Sequence, residues 1–172
     1  MQIRNALAGA CCLGLLAAAG IAQAASLSKT DKQFLATAAR TNMTVAHEGQ
    51  MAGAQAASPD VKSFAEKLVQ DQNDSYARID ELASKSGDAI PKGIDAAKIP
   101  AIARLSHLKG AGFDKQFTRD EAAAEQQAIA AFKREARHGQ DAGVKDYAKN
   151  QLPTLQKDLQ QAQSCLKPAK HG

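Results

Sequence analysis

Apolar residues recur at three- and four-residue spacing along most of this chain, and the pattern breaks at a few Ser, Pro and Gly positions. That period belongs to helices that bury one face. Over residues 28–57, Leu35, Ala39, Met43, His47 and Met51 stand four apart and form a ridge. The ridge predicts that all five side chains, His47 included, point into a core. Ser58-Pro59-Asp60 closes this segment and opens the next, with a cap, a proline at the first helical position and an acid in the first turn. Val61, Phe64, Ala65, Leu68, Gln72, Tyr76, Ile79 and Leu82 continue as an apolar stripe interrupted by Gln72, and Gly87 is the expected stop.

Pro91, Gly93 and Pro100 mark residues 88–100 as a connection, long for adjacent antiparallel helices. A short helical piece is predicted over residues 101–108, ending at Gly110. A third long helix over residues 111–138 carries Phe113, Phe117, Ala124, Ala128, Phe132 and Ala136 inward and stops at Gly139. A fourth over residues 143–166 turns Val144, Tyr147, Leu155, Leu159 and Ala162 inward. Pro153 lies inside it and should kink it without ending it. The fold class is therefore all-α: a ferritin-like four-helix bundle of two hairpins, with a short extra helix in the crossover between the second and third long helices. Plain up-down topology is the alternative.

The N-terminal stretch departs from this pattern. Arg4 is followed by an uncharged run over residues 6–22, then by Ala22-Gln23-Ala24. Positive start, apolar run and small-x-small site are the order of a secretory signal peptide, cleaved after Ala24. A retained span is disfavoured because the run is short and rich in Ala and Gly. Lipid attachment at Cys11 or Cys12 would leave too little apolar segment before the cysteine. The expected organisation is residues 1–24 signal peptide, 25–166 bundle domain and 167–172 flexible tail. Cleavage leaves 172 − 24 = 148 residues and a net charge of 21 − 18 = +3, since Arg4 is lost from a total of +4. It also leaves Cys165 as the single cysteine, so no internal disulfide can form. Basic and acidic residues are interspersed and aromatics are few, which argues against nucleic acid as a partner. No later stretch is apolar enough to span a membrane. The expected location is the periplasm.

No nucleophile motif, phosphate loop, CxxC or HExxH occurs. Polar residues on the inward stripes are the remaining candidates. His47, Gln72, Glu125 and Asp158 supply one near the middle of each long helix, with Glu121 one turn before Glu125. Buried carboxylates need a partner or a metal. A set of imidazole and carboxylates would take iron, manganese or zinc, with iron or manganese as the cofactor of a redox or storage bundle. The competing reading is a hydrogen-bonded core histidine and acids that face water one position off the stripe. None of the four candidate positions belongs to a Glu-x-x-His pair of the kind di-iron bundles use. A non-catalytic role in the envelope or in stress physiology is the leading expectation, and a metal-binding bundle the alternative.

The strings Phe34-Leu35-x-x-Ala38-Ala39, Val61-Lys62-x-Phe64-Ala65, Phe132-Lys133-x-Glu135-Ala136 and Leu152-Pro153-Thr154-Leu155 resemble the family called domain of unknown function 4142. The resemblance runs over residues 31–166. It implies an exported bacterial protein with a ferritin-like fold and no established reaction. It also implies a change at the candidate positions. The family often places Glu where this chain has His47, and His where it has Gln72, Glu125 and Asp158.

Overall fold

The computed structural model describes residues 26–167, all-α in its regular elements. The expected signal peptide and the last five residues of the expected tail lie outside the described residues. Five α-helices follow in order: α1 Lys29–Gln55, α2 Pro59–Lys85, α3 Ile99–Ser106, α4 Gly110–His138 and α5 Ala142–Cys165. A single 3-10 turn, Ala96–Lys98, leads into α3. The four long helices are those the apolar period predicts, with ends shifted by a few residues at most. Among the described residues, no helix is long and apolar enough to cross a membrane.

Local chemistry fixes the ends. Ser28 caps α1, its hydroxyl accepting from the Asp31 amide at 3.1 Å. Ser58 and Asp141 do the same for α2 and α5. After α2 the chain makes the double C-terminal bond pattern: Gly87 N–H donates to Ser84 O and Asp88 N–H to Ala83 O, both 3.0 Å. That turn needs a left-handed residue, and Gly87 supplies it with φ +73°. α5 runs unbroken through Pro153. Pro153 is exposed, as is Lys149, whose carbonyl loses its helical donor.

Cross-links between loops show the topology. Lys32 near the start of α1 pairs with Asp88 just past α2 at 2.7 Å, so these two helices are antiparallel. The Ala57 and Ser58 amides donate to Asp114 in the first turn of α4, at 3.1 and 2.9 Å. The Gln140 and Asp141 amides donate to Asp31 in the first turn of α1, at 2.9 and 3.1 Å. Hence α4 begins beside the end of α1 and finishes beside its start. It runs parallel to α2, so the crossover must travel the length of the bundle. It does so along α1: Gly93 N–H meets Met43 Sδ, Asp95 N–H meets Thr44 Oγ1, and Gln55 reaches the Ser106 and Leu108 carbonyls. This is the ferritin-like plan, and the up-down alternative is excluded.

Packing is close within each hairpin, α1 with α2 and α4 with α5, and looser between them. A Cβ at Gly49 would sit 2.8 Å from Val69 Cγ2, so glycine permits the close approach of α1 to α2. Two apolar clusters form the core. One gathers Leu35, Ala39, Ile79, Phe132, Val144 and Tyr147 at the end where α1 starts. The other gathers Val61, Phe64, Leu68, Leu105, Phe113 and Phe117 at the opposite end. A polar layer lies between them.

Candidate functional site: a carboxyl layer in the bundle core

Each long helix contributes to this layer where its apolar stripe changes cluster or within a turn or two of that point. α1 brings Asn42 and Glu48, α2 brings Gln72 and Ser75, α4 brings Glu121 and Glu125, and α5 brings Asp158. All are buried, and Glu121 is fully so. Of the predicted set, the structure brings Gln72, Glu125 and Asp158 into the layer. The acids do not face water.

His47 requires a correction. It is exposed, and the buried acid of α1 is its neighbour Glu48. An i+4 ladder overshoots a full helical turn by about 40° per step, so by His47 the ridge from Leu35 has swung roughly 120°. The true inward stripe alternates threes and fours: Leu35, Ala38, Ala39, Asn42, Val45, Ala46, Gly49, Ala52. Similarly, Ala124 and Ala128 of α4 are half-buried, while Glu121 and Glu125 take the central positions. An alternation of threes and fours on α1 and α4 is the signal that would have found Asn42, Glu121 and Glu125 together.

Half of the layer is a satisfied network. With the Asn42 amide oriented to suit its neighbours, its nitrogen donates to Gln72 Oε1 at 2.8 Å and to Ala38 O at 3.1 Å. Its oxygen accepts from Ser75 Oγ at 2.7 Å. Ser75 Oγ in turn lies 2.7 Å from the Tyr147 hydroxyl. Burial pushes the Tyr147 phenol up to about 12, so it stays a neutral donor.

The other half is not satisfied. Both carboxyl oxygens of Glu121, Oε2 of Glu125 and Oδ2 of Asp158 have no partner. Burial drives Glu121 well above the carboxylate range, with the charge of Glu48 adding to it. Burial also raises Glu48, with the charge of Asp120 adding to it and the neighbouring Glu121 carboxyl offsetting part of the rise. Glu125 is pushed up to about 8 by burial and by the nearby charges of Asp158 and Asp71. Asp158 rises to about 6 by burial and the charge of Asp71, although Lys67 Nζ approaches its Oδ1 at 4.0 Å. Of these, Glu121 and Glu125 are the acids that hold their protons near neutral pH.

The layer is reachable. A cleft of about 730 Å³ opens between α1 and α4, with Gln72, Glu125 and Leu155 among its lining residues. A smaller recess of about 120 Å³ under the crossover touches Glu48, Asp95, Lys98 and Asp120.

Bundles of this plan commonly hold two metal ions between Glu and Glu-x-x-His ligands on facing helices. The residues present do not fit such a preformed centre. The histidine of the candidate set faces outward, and among the described residues no three His, Cys, Asp or Glu side chains are arranged to hold a metal ion.

Solved structures share the architecture at low identity. A DUF305 fragment from Deinococcus radiodurans superposes with a TM-score of 0.74 at 15% identity, covering 83% of this chain and 98% of that one. CopM in its Cu(II)-bound form gives 0.68 at 14% identity, covering 79% and 95%. A dodecameric thioferritin, a bacterioferritin-related protein from Bacteroides fragilis, gives 0.64 at 18% identity, covering 82% and 87%. At such identities the likeness is one of fold. No curated protein matches. Residues 16–165 match the family described as domain of unknown function (DUF4142), which agrees with the four short strings spread across the helices, and the chain belongs to that family.

Proposed function

We propose that the protein is an exported, non-catalytic bundle of the bacterial envelope whose core carboxyl layer stores protons, so that its fold is firmest in mild acid. The observation that carries this reading is the set of buried carboxyl groups with unpartnered oxygens in the bundle core. Such groups are tolerated when neutral and costly when ionised. An exported protein meets external pH directly, which suits a role in envelope stress. The signal-peptide pattern of residues 1–24 supports export.

The sign of the pH effect follows from linkage. Glu125 has a folded pKa of about 8 against an ordinary 4.5. Between those values the folded chain holds a proton that the unfolded chain has lost, so stability falls as pH rises from about 4.5 to about 8. Glu121, Glu48 and Asp158 act in the same sense. Asp31 acts oppositely: burial raises it, but hydrogen bonds from Gln140, Glu135, Ser28 and Asp141 outweigh this and hold it low. Its contribution is lost only in stronger acid. Melting curves of the purified protein should give the highest Tm near pH 5 and a steady fall to pH 8. A Tm that is flat or rises over that range overturns the reading. Intact mass of the periplasmic form should begin at Ala25; a lipid-modified Cys11 or Cys12, or an uncleaved chain, refutes the export step.

A second reading, a divalent cation held by Gln72, Glu125 and Asp158, is favoured by the unpartnered oxygens of the two acids beside an open cleft. The fold likeness to CopM, solved with copper and with silver bound, supports it in kind. It requires the acids to deprotonate and converge. Fe(II), Mn(II) or Zn(II) would then raise the Tm at pH 8, where the layer is most charged. No shift with any of the three sinks it.

A further inference from the structure

Outside the carboxyl layer, α1 carries a second constellation. The chain has three methionines: Met1, Met43 and Met51. The two beyond the start both flank His47, four residues before it and four after. In the helix His47 is exposed and both methionines are half-buried, so the three share a surface stripe. Side chains four apart on a helix have Cβ atoms about 5–6 Å apart and lean toward the N-terminus. Met51 therefore leans toward His47, and His47 toward Met43.

Packing alone does not account for the arrangement. A helix that needed only apolar cover at Met43 and Met51 would put Leu or Ala there, as the inward stripe of α1 does. The crossover fixes one end of the stripe. Gly93 N–H donates to Met43 Sδ at 2.9 Å, and Asp95 N–H to Thr44 Oγ1 at 2.9 Å one residue on. The first thioether is thereby held against the crossover. Met51 has its inner side against the second apolar cluster. Both thioethers are thus anchored, and both residues are half-buried one turn from an exposed imidazole.

We propose that Met43, His47 and Met51 form a surface site for a soft monovalent cation, Cu(I) or Ag(I). Thioether sulfur is a soft ligand that Cu(I) selects, and it is poor for Mn(II), Mg(II) or Ca(II). Imidazole with one methionine gives a two-ligand set, and the second methionine closes it from the other side. Met side chains are long and flexible enough to bend over the single turn to the imidazole. The step is binding alone, and no electron is transferred. The proposal is independent of the carboxyl layer, since none of its ligands belongs to that layer.

The test uses the full chain with Cys11, Cys12 and Cys165 changed to Ser, because thiolates would otherwise compete for the ion. Cu(I), kept reduced with ascorbate under nitrogen, is titrated against a colorimetric Cu(I) chelator, and Ag(I) is titrated in chloride-free buffer. One equivalent of each ion should bind. Affinity should fall at least tenfold in His47→Ala and also in the double variant Met43→Leu/Met51→Leu. His47 is exposed, so His47→Ala should leave the metal-free Tm unchanged, which separates ligand loss from unfolding. Carbon-13 labels on the methionine methyls should shift on Ag(I) addition for both Met43 and Met51. Absence of binding, or binding that either variant leaves intact, overturns the proposal. A Tm that does not depend on pH would refute the proton-storing core and leave this result unaffected.

Discussion

Glu125 is 2% exposed in the middle of the core, with Asp158 and Asp71 as its charged neighbours. A glutamine there keeps the shape and removes the ionisation. Each pKa unit between folded and unfolded chain is worth about 1.4 kcal/mol. Glu125→Gln should therefore stabilise the bundle by ~2–4 kcal/mol at pH 9 and change it little at pH 5. Urea melts of both proteins at the two pH values decide this; an equal effect at both would mean that the gain is not protonic. Gln72 and Glu125 could be read from the chain because they interrupt otherwise apolar stripes. Glu48 could not be singled out, because it follows a histidine on an apparent ridge and only the helix phase separates the two. At this scale an error of one residue turns a ligand outward and a carboxyl inward.

Among the elements, α5 is the one that breaks a local rule. A proline inside a helix removes one donor and disfavours the helix by roughly 3 kcal/mol. α5 continues because Tyr147, Ala148 and Leu155 bury on both sides of Pro153, and the exposed Lys149 carbonyl can be hydrated. Pro153→Ala should then raise stability by ~1–3 kcal/mol, measured as a higher urea midpoint with an unchanged m-value. A loss of stability would show that the proline ring at this position is needed for packing against α2. The remaining ends obey the sequence: Ser28, Ser58 and Asp141 cap, and Gly87 stops, as their side chains and backbones require.

The whole molecule is two tight hairpins joined by a strap. The strap is held by weak acceptors, a thioether on Gly93 N–H and a hydroxyl on Asp95 N–H. Its amides belong to no helix, so hydrogen exchange over residues 88–95 should run at least ten times faster than in α2 or α5 under native conditions. Uniform protection along the chain would show instead that strap and bundle open as one unit. The cleft between α1 and α4 lies along a seam between the hairpins, where packing is looser than within either, and there the carboxyl layer has an opening. That seam depends on side chains 80 residues apart and has no signature in either helix alone.

Local chemistry along the chain sets the elements. Period, caps, glycine stops and the Ser58-Pro59-Asp60 junction are local chemistry, so four long helices, a short fifth and a long crossover followed from them. It also determined that polar groups would interrupt the apolar stripes of α2, α4 and α5, because such interruptions stand out against Leu, Phe and Ala. The tertiary structure decided the rest. The path of the crossover along α1 set the direction of α4 and hence the ferritin-like topology. Helix phase decided between His47 and Glu48, since a small angular error per turn accumulates until the packed neighbours resolve it. Burial between two apolar clusters made protonated acids of Glu121 and Glu125, because a pKa is set by the surroundings a side chain acquires in the fold.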